Sequence, residues 1–214
     1  MEGVVRAARA ALDKFPYHER GDVRALSAFL SRCGDLSLFV LAHALREPTL
    51  VALLPSSRAG LTRRVWEEID REYERLPTEA RYQPRLTVRF GHLAPSVIRG
   101  YTWAELGECA RTLADARSRP HSRVAFDAAA RVVRKTLPGY GEYQSNHIVR
   151  CLLLYDENPV PGTQFLVMSR AKGAIAARRL LCDLPAANRV ARRLRLPPFP
   201  CVGVVAFALC MSGK

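Results

Sequence analysis

The segment from Arg123 to Tyr155 constrains the fold most, because it predicts two helices joined by a very short turn. Apolar residues recur at helical spacing on both sides of the sequence LPGYG at 137–141. Two glycines that flank one residue tolerate positive φ and add no side chain, so the backbone N–H groups of such a turn can point outward together. The second helix adds its positive N-terminal end at the same place. The segment therefore predicts a helix-hairpin-helix suited to contact with a phosphate group.

The apolar and basic positions of this hairpin predict which side is buried. We expect Leu137 to enter the core and Tyr140 to lie exposed at the tip of the turn. The basic residues Arg131, Arg134 and Lys135 fall on the outer face of the first helix. Its inner face is predicted to contain Phe126, Ala129, Ala130 and Val133.

Helix start signals recur elsewhere in the chain. Asp35 and Ser122 each precede an apolar periodic run and are predicted N-caps. Thr102 and Glu105 have the spacing of a capping box. One segment, 86–90, alternates apolar and polar residues as a strand does, and the apolar run at 201–209 is the one candidate partner.

These patterns predict a mainly α fold: a helical bundle-like domain that contains the helix-hairpin-helix, with at most one or two short strands. The chain of 214 residues is long enough for two small domains or one larger one. We expect either an N-terminal helical region at 1–95 followed by a basic hairpin region at 96–214, or a single domain over 1–214.

The net charge of +13 favours a polyanionic partner. From Arg131 onward there are 13 Lys and Arg against 4 Asp and Glu, so most of the excess follows the start of the hairpin. We expect DNA as the partner, with RNA as the alternative and no membrane association. The residues predicted to bind nucleic acid are Gly139, Tyr140, Gly141, Arg134, Lys135, Arg170, Lys172, Arg189, Arg192 and Arg193.

The hairpin resembles the helix-hairpin-helix of the DNA glycosylase superfamily, in which L-P-G-x-G precedes a second helix. The resemblance implies that Gly139, Tyr140 and Gly141 bind the phosphates of one DNA strand. The chain departs from that family at the catalytic positions. Tyr143 stands where the strand-cleaving members have lysine, and residues 161–164 contain no carboxylate where the family has its catalytic aspartate.

A divergent branch of that superfamily acts in thymine hypermodification, where an amine displaces pyrophosphate from an activated hydroxymethyluracil in DNA. Residues 141–147 are similar to its hairpin, and residues 168–173 to its later glycine-containing stretch. His147 stands where that branch has glutamine, and Cys151 where it has an acid. The resemblance implies a base-processing or base-modifying activity on DNA.

His147 and Cys151 are four residues apart and so share one helix face. The histidine could deprotonate the thiol to make a nucleophile, the pair could supply two metal ligands, or both could simply pack beneath the hairpin. With Asp156, the nearest acid downstream, they are the candidate catalytic residues. No C-x-x-C or H-E-x-x-H spacing is present, so the sequence predicts no metal and no cofactor.

Two classes of function remain open at this point. One is a DNA base-processing enzyme, and the other is a non-catalytic basic protein that packages nucleic acid or associates with the ribosome. The six cysteines lack paired spacing, which is typical of reduced thiols in an intracellular protein, whether nuclear, cytoplasmic or organellar.

Overall fold

The computed structural model describes residues 2–14, 21–77, 93–119, 122–155 and Arg193. These ranges are mainly helical and contain no strand, which confirms the predicted fold class. The predicted strands at 86–90 and 201–209 lie outside the described residues. The helices of the described residues are α1 (Glu2–Lys14), α2 (Gly21–Cys33), α3 (Leu36–Leu45), α4 (Pro48–Ala52), α5 (Arg63–Arg75), α6 (Pro95–Ile98), α7 (Trp103–Ser118), α8 (Arg123–Thr136) and α9 (Glu142–Tyr155), and a short 3₁₀ turn lies at Arg58–Gly60.

Helix α3 lies at the centre of the fold. Its residues from Ser37 to Leu45 are all buried, because a helix that is apolar on every side must be enclosed by others. It packs against α2, α4, α6 and α7. Asp35 caps its N-terminus by accepting a hydrogen bond from the Ser37 N–H at 2.7 Å, as predicted.

Helices α7, α8 and α9 pack against one another and form the hairpin half of the core. Thr102 and Glu105 form the predicted capping box of α7. Ser122 caps α8 by accepting from the Ala125 N–H at 3.2 Å, also as predicted. The predicted inner face of α8 is confirmed, since the residues that are buried there include Phe126, Ala129, Ala130 and Val133.

One hydrophobic core joins the elements before and after residue 95, since α2 contacts α9 and α3 contacts α7. Ile69 of α5 and Leu93 belong to the same core. Within the described ranges, no helix is both long enough and apolar enough for a bilayer crossing.

The turn between α8 and α9 is held by contacts on its inner side. Leu137 is buried, as predicted, and its carbonyl accepts from the Tyr140 N–H at 3.2 Å. The Tyr101 hydroxyl donates to the Pro138 carbonyl at 2.6 Å. Gly139 has a φ of +85°, and a Cβ built there would lie 2.8 Å from Cδ2 of the buried Leu93.

The prediction that Tyr140 is exposed at the tip is wrong. Only 5% of the residue is exposed, because the chain turns inward between Gly139 and α9 and places the ring against α3. The hydroxyl group finds hydrogen-bond partners there, so burying it leaves no unpaired donor.

Replacement of the two turn glycines by alanine should affect stability very differently. Gly139→Ala should lower the free energy of unfolding by about 1–3 kcal/mol, because it forces a side chain into positive φ and against Leu93. Gly141→Ala should change it by no more than about 0.5 kcal/mol, because φ is not positive there and no atom lies within 4 Å of the added Cβ. Urea unfolding followed by circular dichroism measures both, and equal losses would contradict this account of the turn.

Candidate functional site

Four side chains from three separate elements meet in the core and form a polar group that we call the histidine cluster. His43 comes from α3, Tyr140 from the turn, and His147 and Cys151 from α9. The exposed fraction is 0% for both histidines, 2% for Cys151 and 5% for Tyr140. The cluster therefore lies away from bulk solvent, where each polar atom needs a partner inside the protein.

A chain of hydrogen bonds sets the orientation of His43. We assign the Tyr140 hydroxyl proton to the Val40 carbonyl, 3.4 Å away, because a carbonyl oxygen can only accept. The Tyr140 oxygen then accepts from Nδ1–H of His43 at 2.9 Å. With its proton on Nδ1, neutral His43 directs the Nε2 lone pair towards Nδ1 of His147, 2.9 Å away.

Burial keeps both His43 and Tyr140 uncharged. Burial, followed by the nearby positive charges of Arg46 and Arg150, holds the pKa of His43 well below its ordinary value. Burial likewise raises the pKa of Tyr140 well above its ordinary value, so its hydroxyl keeps its proton and remains a donor. At neutral pH the His43 ring is therefore a neutral imidazole with one N–H and one lone pair.

His147 and Cys151 contact each other on α9, as their spacing predicts. The Cys151 sulfur lies 3.4 Å from Nδ1 and 3.7 Å from Nε2 of His147. His43, His147 and Cys151 can each supply one metal-ligand atom, and these three atoms lie within 4.8 Å of one another. Among the described residues, this is the group whose donors are close enough to hold a metal ion.

A buried arginine borders the histidine cluster. Arg46 ends α3 in the left-handed conformation, with a φ of 52°, and its side chain is 2% exposed. Its guanidinium donates to the Asp22 carboxylate of α2 and to the Gln144 side chain of α9, each at 2.8 Å. The arginine thus links three helices around the cluster, and the carboxylate offsets its buried charge.

The opposite side of the hairpin is exposed. We call it the hairpin surface; its members are Gly139 and Gly141 of the turn and Arg131, Arg134 and Lys135 of α8, all solvent-exposed. The three basic residues therefore point outward as predicted. Their positions near the C-terminal end of α8 place positive charge close to the turn.

The backbone of the turn offers fewer outward N–H groups than the sequence predicts. The Tyr140 N–H already donates to the Leu137 carbonyl and the residue is only 5% exposed, so this geometry gives no support to the phosphate contact of Tyr140, which stays a prediction. The first intrahelical bond of α9 runs from the Ser145 N–H to the Gly141 carbonyl at 3.1 Å. The N–H groups from Gly141 to Tyr143 precede that bond and have no partner within the helix.

Most of the remaining predicted site residues lie outside the described residues. They are Asp156, Arg170, Lys172, Arg189 and Arg192. Arg193 is described and exposed, and its guanidinium lies 3.7 Å from the Glu2 carboxylate of α1. Its carbonyl accepts from the Arg9 guanidinium. The structure therefore places Arg193 beside α1.

No sequence pattern marked His43, Arg46, Asp22 or Gln144 as part of a site. His43 is 104 residues from His147 and belongs to an apolar helix, so no local spacing marks it. Arg46 follows that helix as an ordinary C-terminal cation would. The one available signal was that His43 is a titratable residue within a largely apolar stretch.

No protein-family model, curated protein or solved structure matches this chain.

Removal of the Tyr140 hydroxyl should destabilise the protein more than removal of the Tyr101 hydroxyl. Tyr140→Phe leaves a buried nitrogen of His43 without its partner, at a cost of about 1–3 kcal/mol. Tyr101→Phe frees only the carbonyl of the exposed Pro138, which water can then bind, at a cost of about 0.5–1.5 kcal/mol. Urea unfolding of both variants measures the difference. A Tyr140→Phe variant as stable as the parent would contradict the hydrogen-bond chain.

Proposed function

We propose that this protein binds nucleic acid, with DNA as the preferred partner, through the hairpin surface. The observation that supports this most directly is the position of the turn. Its exposed glycines lie at the N-terminus of α9, beside the exposed basic end of α8. A phosphate group placed there would meet backbone N–H donors from one helix and cationic side chains from the other.

The electrostatics of α8 support phosphate binding. Arg131, Arg134 and Lys135 are all exposed, and the whole chain has a net charge of +13. Arginine donates two parallel hydrogen bonds to a phosphate, while lysine adds a point charge. Such contacts release counterions from the nucleic acid, so binding through this surface should weaken steeply with salt.

Glu142 works against a bound phosphate and gives the proposal a sharp test. This acidic residue occupies the first turn of α9 and is exposed. Its negative charge stabilises the helix terminus, but it would repel a phosphate at the same place. Removal of the charge should therefore strengthen binding, whereas removal of the basic residues should weaken it.

The proposed function is binding of nucleic acid and includes no reaction on a base. The candidate catalytic residues His147 and Cys151 are 0% and 2% exposed and lie beneath the turn rather than on the hairpin surface. A base would have to displace core side chains to reach them. The base-processing activity that the resemblance implies stays a prediction.

Charge reversal on α8 should reduce DNA affinity. Arg134→Glu/Lys135→Glu should raise the Kd for a short labelled duplex at least about tenfold and lower the slope of log Kd against log salt by about 2, because two phosphate contacts are lost. Fluorescence anisotropy at several salt concentrations measures both quantities. A single-stranded DNA and an RNA of equal length show whether duplex DNA is preferred.

The matched control is Arg64→Glu/Arg71→Glu, which makes the same change of net charge at exposed positions on α5. It should alter the Kd much less than the α8 variant, since α5 packs against α4 and α6. Equal losses in the two variants would show that binding follows total charge, and absence of binding by the parent protein would refute the proposed function.

Small changes at the turn should move affinity in opposite directions. Gly141→Ala should raise the Kd about fivefold, equivalent to one lost hydrogen bond of about 1 kcal/mol, because its methyl group obstructs a phosphate at the turn. Glu142→Gln should lower the Kd. Gly107→Ala is the control, since a Cβ there also meets no atom within 4 Å but lies on α7. If neither turn variant changed the Kd, the backbone of the turn would have no part in binding.

A further inference from the structure

The histidine cluster contains the donor atoms of a metal site. Nε2 of His43, Nδ1 of His147 and Sγ of Cys151 come from two helices and converge within 4.8 Å of one another. The two nitrogens are 2.9 Å apart, and the sulfur lies 3.4 Å from Nδ1 of His147. Two imidazoles and one thiol are a donor set that suits zinc or copper and does not suit magnesium or calcium.

Two of the three donor distances, those to Nδ1 of His147, are close to those of a tetrahedral centre, and the third, from Cys151 Sγ to the His43 nitrogen, is at most 4.8 Å and has to shorten when the metal binds. Metal–nitrogen bonds of about 2.0–2.1 Å and a metal–sulfur bond of about 2.3 Å place neighbouring ligand atoms about 3.3–3.6 Å apart. The distance from the Cys151 sulfur to Nδ1 of His147 already lies in that range. The two histidine nitrogens need to separate by about 0.4 Å, a small rotation of two rings, to reach the spacing that such bonds require.

The hydrogen bonds of His43 orient its ring as those of a metal ligand are oriented. Metal-binding histidines commonly donate their second ring N–H to an oxygen, which fixes the tautomer and aims the other nitrogen at the metal. In the tautomer assigned above, His43 does this through Nδ1–H to the Tyr140 oxygen, and the Tyr140 hydroxyl in turn donates to the Val40 carbonyl. The lone pair of Nε2 is thereby directed at His147 and Cys151.

We propose that His43, His147 and Cys151 bind one thiophilic transition-metal ion, of which Zn²⁺ is the first choice. On binding, Cys151 releases its thiol proton to solvent, and the proton that His147 shares with His43 moves to Nε2 of His147. Both imidazoles remain neutral, and the thiolate is the one anionic ligand. Three protein ligands leave a fourth position, which water fills in zinc sites of this type.

The proposed ion would tie the turn to the centre of the fold. It would join α3 directly to α9, and through the His43–Tyr140 bond it would also stabilise the turn. This inference is independent of nucleic-acid binding, since the ligands are buried and the hairpin surface is exposed. Loss of the ion should lower the thermal stability of the whole protein.

Elemental analysis of the purified full chain and substitution with Co²⁺ test the proposal. The protein should contain about one zinc or copper ion per chain. Refolding with Co²⁺ should produce visible ligand-field bands together with a near-ultraviolet thiolate-to-cobalt charge-transfer band. Cys151→Ser should lose that band and bind Co²⁺ at least about tenfold more weakly. A chain that folds without metal and develops no charge-transfer band would overturn the proposal.

Cys109→Ser is the matched control, because Cys109 is equally buried but lies on α7 outside the cluster. It should keep the metal and the band. A band that survives Cys151→Ser, or that disappears in Cys109→Ser with the fold intact, would place the metal elsewhere and refute the assignment.

A second variant keeps the test decisive if Cys151→Ser fails to fold. His147→Cys retains three ligands and adds a second thiolate in a smaller side chain. Its Co²⁺ complex should show a stronger charge-transfer band than the parent. An unchanged band in this variant would also overturn the proposal, because His147 would then not contact the ion.

Discussion

The hydrogen bond between His43 and Tyr140 determines how the hairpin sits on the helical core. It joins α3, whose residues from Ser37 to Leu45 are all buried, to the turn between α8 and α9 over 97 residues of sequence. Tyr140 can be buried only because this bond and the Val40 carbonyl satisfy its hydroxyl. Once the ring points inward, the chain on either side of it must turn outward, which leaves both glycines at the surface.

The two sides of the turn therefore differ in burial and in charge. The inner side is a neutral network, in which burial holds His43 and Tyr140 uncharged. The outer side is cationic, with Arg134 and Lys135 beside a helix N-terminus. For the proposed nucleic-acid binding, an inner side held by these hydrogen bonds would keep the outer donors in place, and preorganisation of this kind lowers the cost of binding. The proposed metal site and the proposed nucleic-acid surface are thus opposite sides of one turn.

Local patterns predicted the helices well, because capping and helical periodicity are properties of neighbouring residues. Asp35, Thr102 and Ser122 cap helices as predicted, and the inner face of α8 is buried as its spacing indicates. The placement of Tyr140 was wrong for a physical reason. Whether a tyrosine in a turn is buried depends on whether its hydroxyl finds a hydrogen-bond partner in the core. For Tyr140 that partner is His43, which belongs to a helix far away in the sequence.

The sequence by itself determined the mainly helical fold, the hairpin at 123–155 and the basic character of its outer face, since these follow from periodicity, glycine conformation and charge. It also placed His147 and Cys151 on one helix face. Only the tertiary structure brought His43 to that pair and Arg46 to Asp22. Those contacts depend on how α2, α3 and α9 pack, and packing is decided by the fit of whole helix surfaces rather than by any local spacing.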